Sequence, residues 1–169
     1  QAYAPLAAVR GEAERVYDPE DRKDALRIGV AISADMSFLE PARHIVRIIA
    51  GRRQTVFAYR FGYVPEYLRA TMPGAFHASE LPFFFDTLDV RHGDATTPAD
   101  RAAARLVHDY WINFARSGVP SAKGGGHWLP YRAASDAVMI FDAAGAHEEA
   151  DPIRARLDFI EQFVTAAKP

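Results

Sequence analysis

Histidine is the residue type in this sequence best suited to acid–base or metal chemistry, and the chain contains six histidines. An imidazole with a pKa of about 6.5 can accept and return a proton near neutral pH, and it can also ligate a metal ion. Helical zinc sites place two histidines four residues apart, but neither His44 nor His108 has a second ligand at that spacing. His92 and His127 lie in predicted loops, and His147 lies in a charged turn or edge strand. The spacing therefore indicates no metal site.

His77 is placed differently, because it ends a long irregular segment, residues 62–76, that follows a predicted strand. Pro65, Pro73 and Gly74 interrupt this segment, which shows no strong hydrophobic period. Long loops in compact domains are frequently functional, because they carry reactive side chains on a rigid scaffold. His77 is therefore the candidate for proton transfer.

The composition restricts the partners of the chain. Its 169 residues are 49% hydrophobic and 12% aromatic, which is enough apolar material for a substantial core. Twenty Lys and Arg against 22 Asp and Glu give a net charge of -2, so we expect a small molecule or another protein as partner, with no nucleic acid and no membrane. No apolar run approaches the roughly 20 residues of a bilayer-spanning helix. The absence of cysteine excludes disulfides and leaves the cellular compartment open.

The first half of the chain predicts two helices and a strand. Asp18 and Pro19 are typical of a helix start, and that helix is expected to run to about Ile32. A capping box at Ser37-Phe38-Leu39-Glu40 predicts a second helix with a left-handed stop at Gly51. Residues 55–61 are β-branched and aromatic on both faces, which predicts a central strand covered on both sides. Asp35 and Arg43 are close enough in sequence for a structural ion pair.

The second half predicts three helices and a strand. Ser79 is expected to cap a short helix over residues 80–88, with Phe83, Phe84 and Phe85 in the core. Thr97-Pro98-Ala99-Asp100 starts an amphipathic helix that Gly118 ends. The glycines at 124–126 predict a flexible surface turn and no phosphate site. A strand over 137–141 and a final helix after Asp151-Pro152 complete the pattern, and this helix is expected to face inward with Ile153, Leu157, Ile160 and Phe163.

Four stretches of the sequence resemble the type-B carboxylesterases, the family that includes bacterial nitrobenzyl esterases and the cholinesterases. They are residues 35–43 before a helix, residues 55–61 as the strand that follows, residues 74–85 around His77, and residues 110–120 leading to 128–131. The last two are the specific ones, and they read GAFHASELPFFF and YWINFARSGVP followed by WLPY.

The resemblance implies the C-terminal part of an α/β-hydrolase fold, with mostly helices packed on a few sheet strands. In that fold the triad runs along the chain as Ser, then Asp or Glu, then His, and the serine lies in a G-x-S-x-G turn. None of the six serines lies in such a turn, and no stretch before His77 matches the acidic motif. We therefore expect residues 1–169 to be an incomplete segment of one catalytic domain, whose triad serine and acid precede Gln1.

The resemblance also implies roles for residues near the histidine. His77 would accept the serine proton, return it to the leaving alcohol and donate from its other ring nitrogen to the triad acid. Glu80 would brace the loop through a backbone amide or a basic group. Met72 and Phe76 match positions that line the alcohol side of the pocket in cholinesterases, although an aromatic residue before a loop histidine can also be simple packing. No cofactor is implied.

Two functions from different classes remain open. The chain is either part of a bacterial carboxylesterase that hydrolyses small-molecule esters, or a non-catalytic interaction domain of the same fold, because some relatives have lost the nucleophile. The retention of His77 favours the esterase. The remainder of the parent chain is the expected partner, and a homodimer stays open. Alone, the segment is expected to be inactive, to expose apolar faces, and to aggregate or bind an apolar dye.

Overall fold

A computed structural model describes residues 10–166, which form two compact units. The first unit contains residues 10–56, 132–136 and 150–166, and the second contains residues 57–131 and 137–149. None of the helices in this range is long and apolar enough to cross a membrane. Along the chain the elements are α1 (Arg10–Tyr17), α2 (Ala25–Ala34), a π-helical turn (Asp35–Leu39), α3 (Glu40–Gly51), β1 (Tyr59–Phe61), a 3₁₀ turn (Glu66–Leu68), α4 (Leu81–Phe84), α5 (Leu88–His92), a 3₁₀ turn (Gly93–Ala95), α6 (Pro98–Ser117), β2 (Ala137–Asp142), β3 (Gly145–Ala150) and α7 (Arg154–Ala166).

The helix expected to start at Asp18 starts instead after Asp24, whose carboxylate accepts a hydrogen bond from the Arg27 backbone N–H at 3.0 Å. Asp18 follows the end of α1, and its carboxylate accepts hydrogen bonds from the backbone N–H groups of Arg22 at 3.1 Å and Lys23 at 2.8 Å. An aspartate caps whichever backbone amides it can reach, so Asp18 stabilises a turn between two helices.

The capping box expected at Ser37 is also absent, because α2 continues through the π-helical turn into α3 without a break. An aspartate inside that turn, Asp35, is fully buried. A π-helical turn accommodates one extra residue and so changes which side chains face inward. The stop expected at Gly51 also differs, since Arg53 is the residue with a left-handed φ, of 58°.

Asp35 and Arg43 have separate partners instead of forming the expected pair. Arg156 donates two hydrogen bonds to the Asp35 carboxylate, each 2.8 Å long, and the Tyr17 hydroxyl donates a third at 2.8 Å. The Arg156 guanidinium also lies over the Tyr17 ring, 5.1 Å from its centroid. These partners lie 18 and 121 residues from Asp35, so local spacing could not identify them.

Arg43 lies buried among three carboxylates. It donates hydrogen bonds to Asp136 at 3.3 Å, Asp158 at 2.7 Å and Glu161 at 3.2 Å. Arg47 forms ion pairs with the same three carboxylates, so two guanidinium groups face them. This network connects α3 to α7 within the first unit.

The final helix is confirmed as α7. Leu157 and Ile160 are buried, Ile153 and Phe163 are half-buried, and the Asp151 carboxylate accepts a hydrogen bond from the Ile153 backbone N–H at 3.1 Å. Ile160 packs in a small core with Phe159 and Tyr17. The ordinary combination of a cap and an inward stripe was therefore sufficient to predict α7.

The sheet of the described residues has the strand order β1-β2-β3, and β1 pairs in parallel with β2. Tyr59 lies opposite Met139, and Phe61 opposite Phe141. The expected central strand, β1, therefore lies at an edge of this sheet, because it has a neighbour on one side only. A two-residue connection joins β2 to β3, a geometry that only an antiparallel hairpin permits. Of the two alternatives expected around His147, a charged turn and an edge strand, the structure has the edge strand, β3.

Helix α6 matches its prediction closely. Thr97 and Asp100 form a complete capping box, Pro98 is the first residue, and Gly118 ends the helix with a left-handed φ of 74°. Its inward side chains, among them Tyr110, join a largely aromatic core with residues from other parts of the second unit: Tyr63, Phe83, Trp128, Met139 and Phe141.

The glycine turn at 123–126 is present, but two of its glycines pack tightly. The Tyr110 hydroxyl donates to the Gly126 carbonyl at 2.5 Å. A Cβ atom on Gly125 would lie 2.2 Å from the Tyr110 hydroxyl oxygen, so only glycine allows this approach. The turn therefore belongs to the core packing of the second unit.

Candidate functional site

His77 lies exposed on a tight turn at the end of the segment between β1 and α4. The Ser79 backbone N–H donates to the Phe76 carbonyl at 3.0 Å, which closes the turn around His77 and Ala78. Ala78 has a left-handed φ of 65°, which costs a residue with a Cβ atom about 1–2 kcal/mol. Backbone strain of this kind clusters at functional sites, where surrounding structure holds it in place. The turn thus presents the imidazole outward from a defined backbone.

Ser79 does not cap a helix as expected. Helix α4 begins after Glu80 without a side-chain cap, and the helix expected over residues 80–88 is divided into α4 and α5. The Ser79 hydroxyl oxygen is buried, with no hydrogen-bond partner within the described range. Glu80 is half-buried. The pKa of the Tyr59 hydroxyl is raised, mainly because Tyr59 is buried and secondly because of the negative charge of Glu80. The bracing role of Glu80 stays a prediction.

The three consecutive phenylalanines after the turn have three different environments. Phe83 is buried in the core, and Phe84 stacks on Trp111 with ring centroids 4.0 Å apart. Phe85 is 68% exposed, so the prediction of a core position was wrong for this residue. Successive helical side chains point about 100° apart, and three in a row cannot face the same core.

The two candidate substrate residues lie on the same segment as His77. Met72 is half-buried, and its backbone N–H donates to the Leu68 carbonyl at 2.8 Å. Phe76 directly precedes the histidine and is 51% exposed. Met72, Phe76 and His77 thus lie within six consecutive residues of one loop, and Phe76 and His77 are both exposed.

A cleft of about 330 Å³ opens elsewhere in the second unit. Tyr63, Glu66 and Arg69 form one wall, the first half of α6 forms another, and the turn between β2 and β3 forms the third. Met72, Phe76 and His77 are not among the residues that line it. The cleft and the histidine turn are therefore separate surfaces.

Sequence reasoning placed Asp100 only in a segment that starts a helix, whereas the structure gives its carboxylate several contacts. Its Oδ2 atom accepts from the Thr97 backbone N–H at 2.9 Å, which completes the capping box. Its Oδ1 atom accepts from the Tyr63 hydroxyl at 2.8 Å and from the Glu66 backbone N–H at 3.1 Å. Burial alone would raise the pKa of Asp100, but the hydrogen bonds to its carboxylate outweigh burial and lower it.

Acid is expected to weaken folding through Asp100. Because its pKa is lowered in the folded protein, its stabilising contribution is present above the ordinary value of 3.8 and is lost as the pH falls through the lower folded value. In the parent protein we expect Asp100→Asn to flatten this part of the stability profile, measured by urea unfolding between about pH 2 and 5. The control is Asp94→Asn, an exposed site before the same helix. An unchanged acid limb in Asp100→Asn would contradict the assignment.

Two other histidines have structural contacts in the second unit. The His108 Nδ1 atom lies 2.7 Å from the Phe84 carbonyl, and because a carbonyl only accepts, His108 donates this hydrogen bond. His92 lies 2.8 Å from the Tyr67 hydroxyl, and burial together with the nearby Arg91 charge lowers the pKa of His92. Between residues 10 and 166 there is no group of three or more possible metal-ligating side chains.

Comparison with known proteins gives one consistent result. Residues 6–159 match the model of the Carboxylesterase family. Cocaine esterase of Homo sapiens is 33% identical over 98 residues, which are 56% of this chain and 17% of that protein. Carboxylesterase 1D of Rattus norvegicus is 30% identical over 117 residues, which are 68% of this chain and 20% of that protein.

A solved structure shows the same likeness in three dimensions. The crystal structure of the Geobacillus stearothermophilus carboxylesterase EST55 matches with a TM-score of 0.69 and 30% identity, over 89% of this chain and 31% of that chain. This likeness confirms the α/β-hydrolase fold. The chain spans about a fifth of the length of these two relatives and about a third of the length of the solved structure.

Proposed function

Because the chain belongs to the carboxylesterase family, we propose that it forms the C-terminal part of a serine carboxylic ester hydrolase and supplies its general base, His77. The match over residues 6–159, which includes the histidine turn, carries this proposal. The exposed imidazole and the strained backbone at Ala78 support it, since a general base must be accessible and held in a defined position.

In this proposal the imidazole first accepts a proton and then donates it to the leaving group. It accepts the proton of a serine hydroxyl as the serine oxygen attacks the ester carbonyl, and it returns that proton to the alcohol as the carbonyl–oxygen bond breaks. A water molecule then attacks the acyl-enzyme in the same way: the imidazole accepts its proton and returns it to the serine oxygen as the carboxylic acid leaves. A carboxylate orients the ring and stabilises its charged form. The serine and the carboxylate belong to the rest of the parent protein.

The residues before the histidine suggest the kind of alcohol that is accepted. Phe76 exposes about half of its surface next to His77, and Met72 lies half-buried five residues earlier. Burial of apolar substrate surface against such side chains contributes roughly 25 cal/mol per Å². We infer that Met72 and Phe76 contact the alcohol portion and favour hydrophobic small-molecule esters.

The helices α2 and α3 have an outward surface suited to contact with more protein. Leu26 is 79% exposed, Val30 62% and Ile45 57%. Several large exposed apolar side chains on two consecutive helices are more typical of an interface than of a solvated face. In this proposal the remainder of the parent chain covers this surface, and residues 1–169 are one part of a single catalytic domain.

The isolated chain is therefore expected to behave differently from the parent protein. Residues 1–169 alone should bind an apolar dye such as anilinonaphthalene sulfonate strongly or aggregate, because the apolar side chains of α2 and α3 meet water. They should also leave nitrophenyl esters intact. Dye fluorescence and light scattering measure the first outcome, and the parent protein is the control. A monodisperse, cooperatively melting monomer that binds no dye would contradict the proposed covering.

The test of the function is hydrolysis of short-chain nitrophenyl esters by the parent protein, together with labelling by a fluorophosphonate, which reacts with an activated serine. The proposal expects turnover, a labelled serine, and loss of both when His77 is replaced. A parent protein that neither turns over esters nor takes up the label would instead support the non-catalytic interaction domain.

A further inference from the structure

The segment that carries His77 is attached to helix α6 close to its start. The Tyr63 hydroxyl and the Glu66 backbone N–H both donate to the Asp100 Oδ1 atom, at 2.8 and 3.1 Å. Helix capping uses only the other oxygen, Oδ2, which accepts from Thr97. Oδ1 takes no part in capping. It connects α6 to a loop that lies 34 to 37 residues away in sequence.

Local contacts extend this attachment along the segment toward Met72. The Arg69 Nε atom donates to the Val64 carbonyl at 3.0 Å, and the Arg69 guanidinium lies over the Tyr63 ring, 5.3 Å from its centroid. The Met72 backbone N–H then donates to the Leu68 carbonyl at 2.8 Å. Residues 63–72 thus form a continuous braced path from Asp100 to the residue five positions before His77.

The other end of the segment is attached to the same helix. His108 donates from Nδ1 to the Phe84 carbonyl at 2.7 Å. The Phe84 ring stacks on Trp111, with centroids 4.0 Å apart and planes at 21°. Helix α4 therefore cannot shift along α6 without breaking a hydrogen bond and an aromatic contact. His77 lies between the two attachments.

We propose that Asp100 and His108 are positioning residues for His77, and that α6 is the rigid element that holds both ends of the histidine loop. Asp100 and His108 are eight residues apart on one continuous helix, which separates them by about 12 Å along the axis. A helix of this length keeps that spacing constant, so the two attachments define the span that the loop must bridge. The inference rests on the proposed function, because it concerns the placement of the proposed base.

The experiment compares matched variants of the parent protein. Tyr63→Phe and His108→Phe each remove one hydrogen bond between the loop and α6 while retaining an aromatic ring. Asn113→Leu is the control, because Asn113 lies on the same helix and donates to the Ser121 carbonyl at 2.8 Å, which belongs to a different loop. For each variant, kcat, KM and the melting temperature are measured with a short-chain nitrophenyl ester.

We expect Tyr63→Phe and His108→Phe to lower kcat about ten- to a hundredfold with little change in KM, since small displacements of a catalytic group are costly. Asn113→Leu should lower the melting temperature similarly and leave kcat unchanged. If all three variants retain kcat in a parent enzyme that depends on His77, the positioning role is wrong while the function stands. If the parent enzyme does not depend on His77, the proposed function itself fails.

Discussion

Replacing His77 with alanine in the parent protein is expected to lower kcat/KM for short-chain nitrophenyl esters by about 10⁴-fold or more. Without the imidazole, no group accepts the serine proton near neutral pH, and the leaving alcohol is not protonated. The residual rate would come from substrate binding and from stabilisation of the oxyanion. Substrate affinity should change little, because the general base acts mainly in the transition state.

The matched control is His127→Ala, which removes another exposed histidine from the same unit. This variant should retain activity within about twofold, because surface substitutions away from a site have small effects. Steady-state kinetics together with the melting temperatures of both variants distinguish loss of the base, which leaves the melting temperature unchanged, from loss of folding. Near-normal turnover in His77→Ala would remove His77 from the mechanism.

Replacing Arg156 with methionine is expected to lower the free energy of unfolding by about 3–5 kcal/mol. Arg156 donates two hydrogen bonds, each 2.8 Å long, to Asp35, which is fully buried. Without the guanidinium, the Asp35 carboxylate would retain the Tyr17 hydroxyl as a hydrogen-bond donor but would lose its bidentate positive partner. A buried carboxylate that lacks a compensating charge is costly, and methionine fills most of the vacated volume without restoring that charge.

Arg154→Met is the control, since it makes the same change two residues earlier on the same helix. The Arg154 side chain is 45% exposed, and its closest carboxylate contacts are 3.6 and 3.7 Å long. Solvent screens such pairs, so we expect a loss below about 1 kcal/mol. Urea unfolding of the parent protein with Arg154→Met, Arg156→Met, Asp35→Asn, or Asp35→Asn and Arg156→Met together, measures the coupling between Asp35 and Arg156. Equal losses in the two arginine variants would contradict the role assigned to buried charge.

Local sequence was a good guide wherever an element depended on its own residues. Helix α6 begins and ends where Thr97, Asp100 and Gly118 predicted, because a capping box and a left-handed glycine act within a few residues. The same is true of β2 and of the inward stripe of α7. The candidate general base was also identified from local residues, through the family motif in residues 74–85 and the position of His77 after a predicted strand.

Local sequence misled where residues act through distant partners. Ser37 and Glu40 have the spacing of a capping box, yet the helix runs through them. The buried charge of Asp35 finds Tyr17 and Arg156 from other helices, an arrangement that no short-range pattern contains. Asp18 similarly resembled a helix cap but stabilises a turn, because capping depends on which amides the folded chain brings near.

The sequence by itself determined the family, the fold class and the candidate base, because these depend on short motifs and on caps whose hydrogen bonds are local. Only the tertiary structure decided that Asp100 contacts Tyr63 and Glu66, that His108 contacts Phe84, and that Arg43 lies among three carboxylates. A buried polar group must find a partner, but which partner it finds depends on how distant segments pack, and residue spacing does not contain that information.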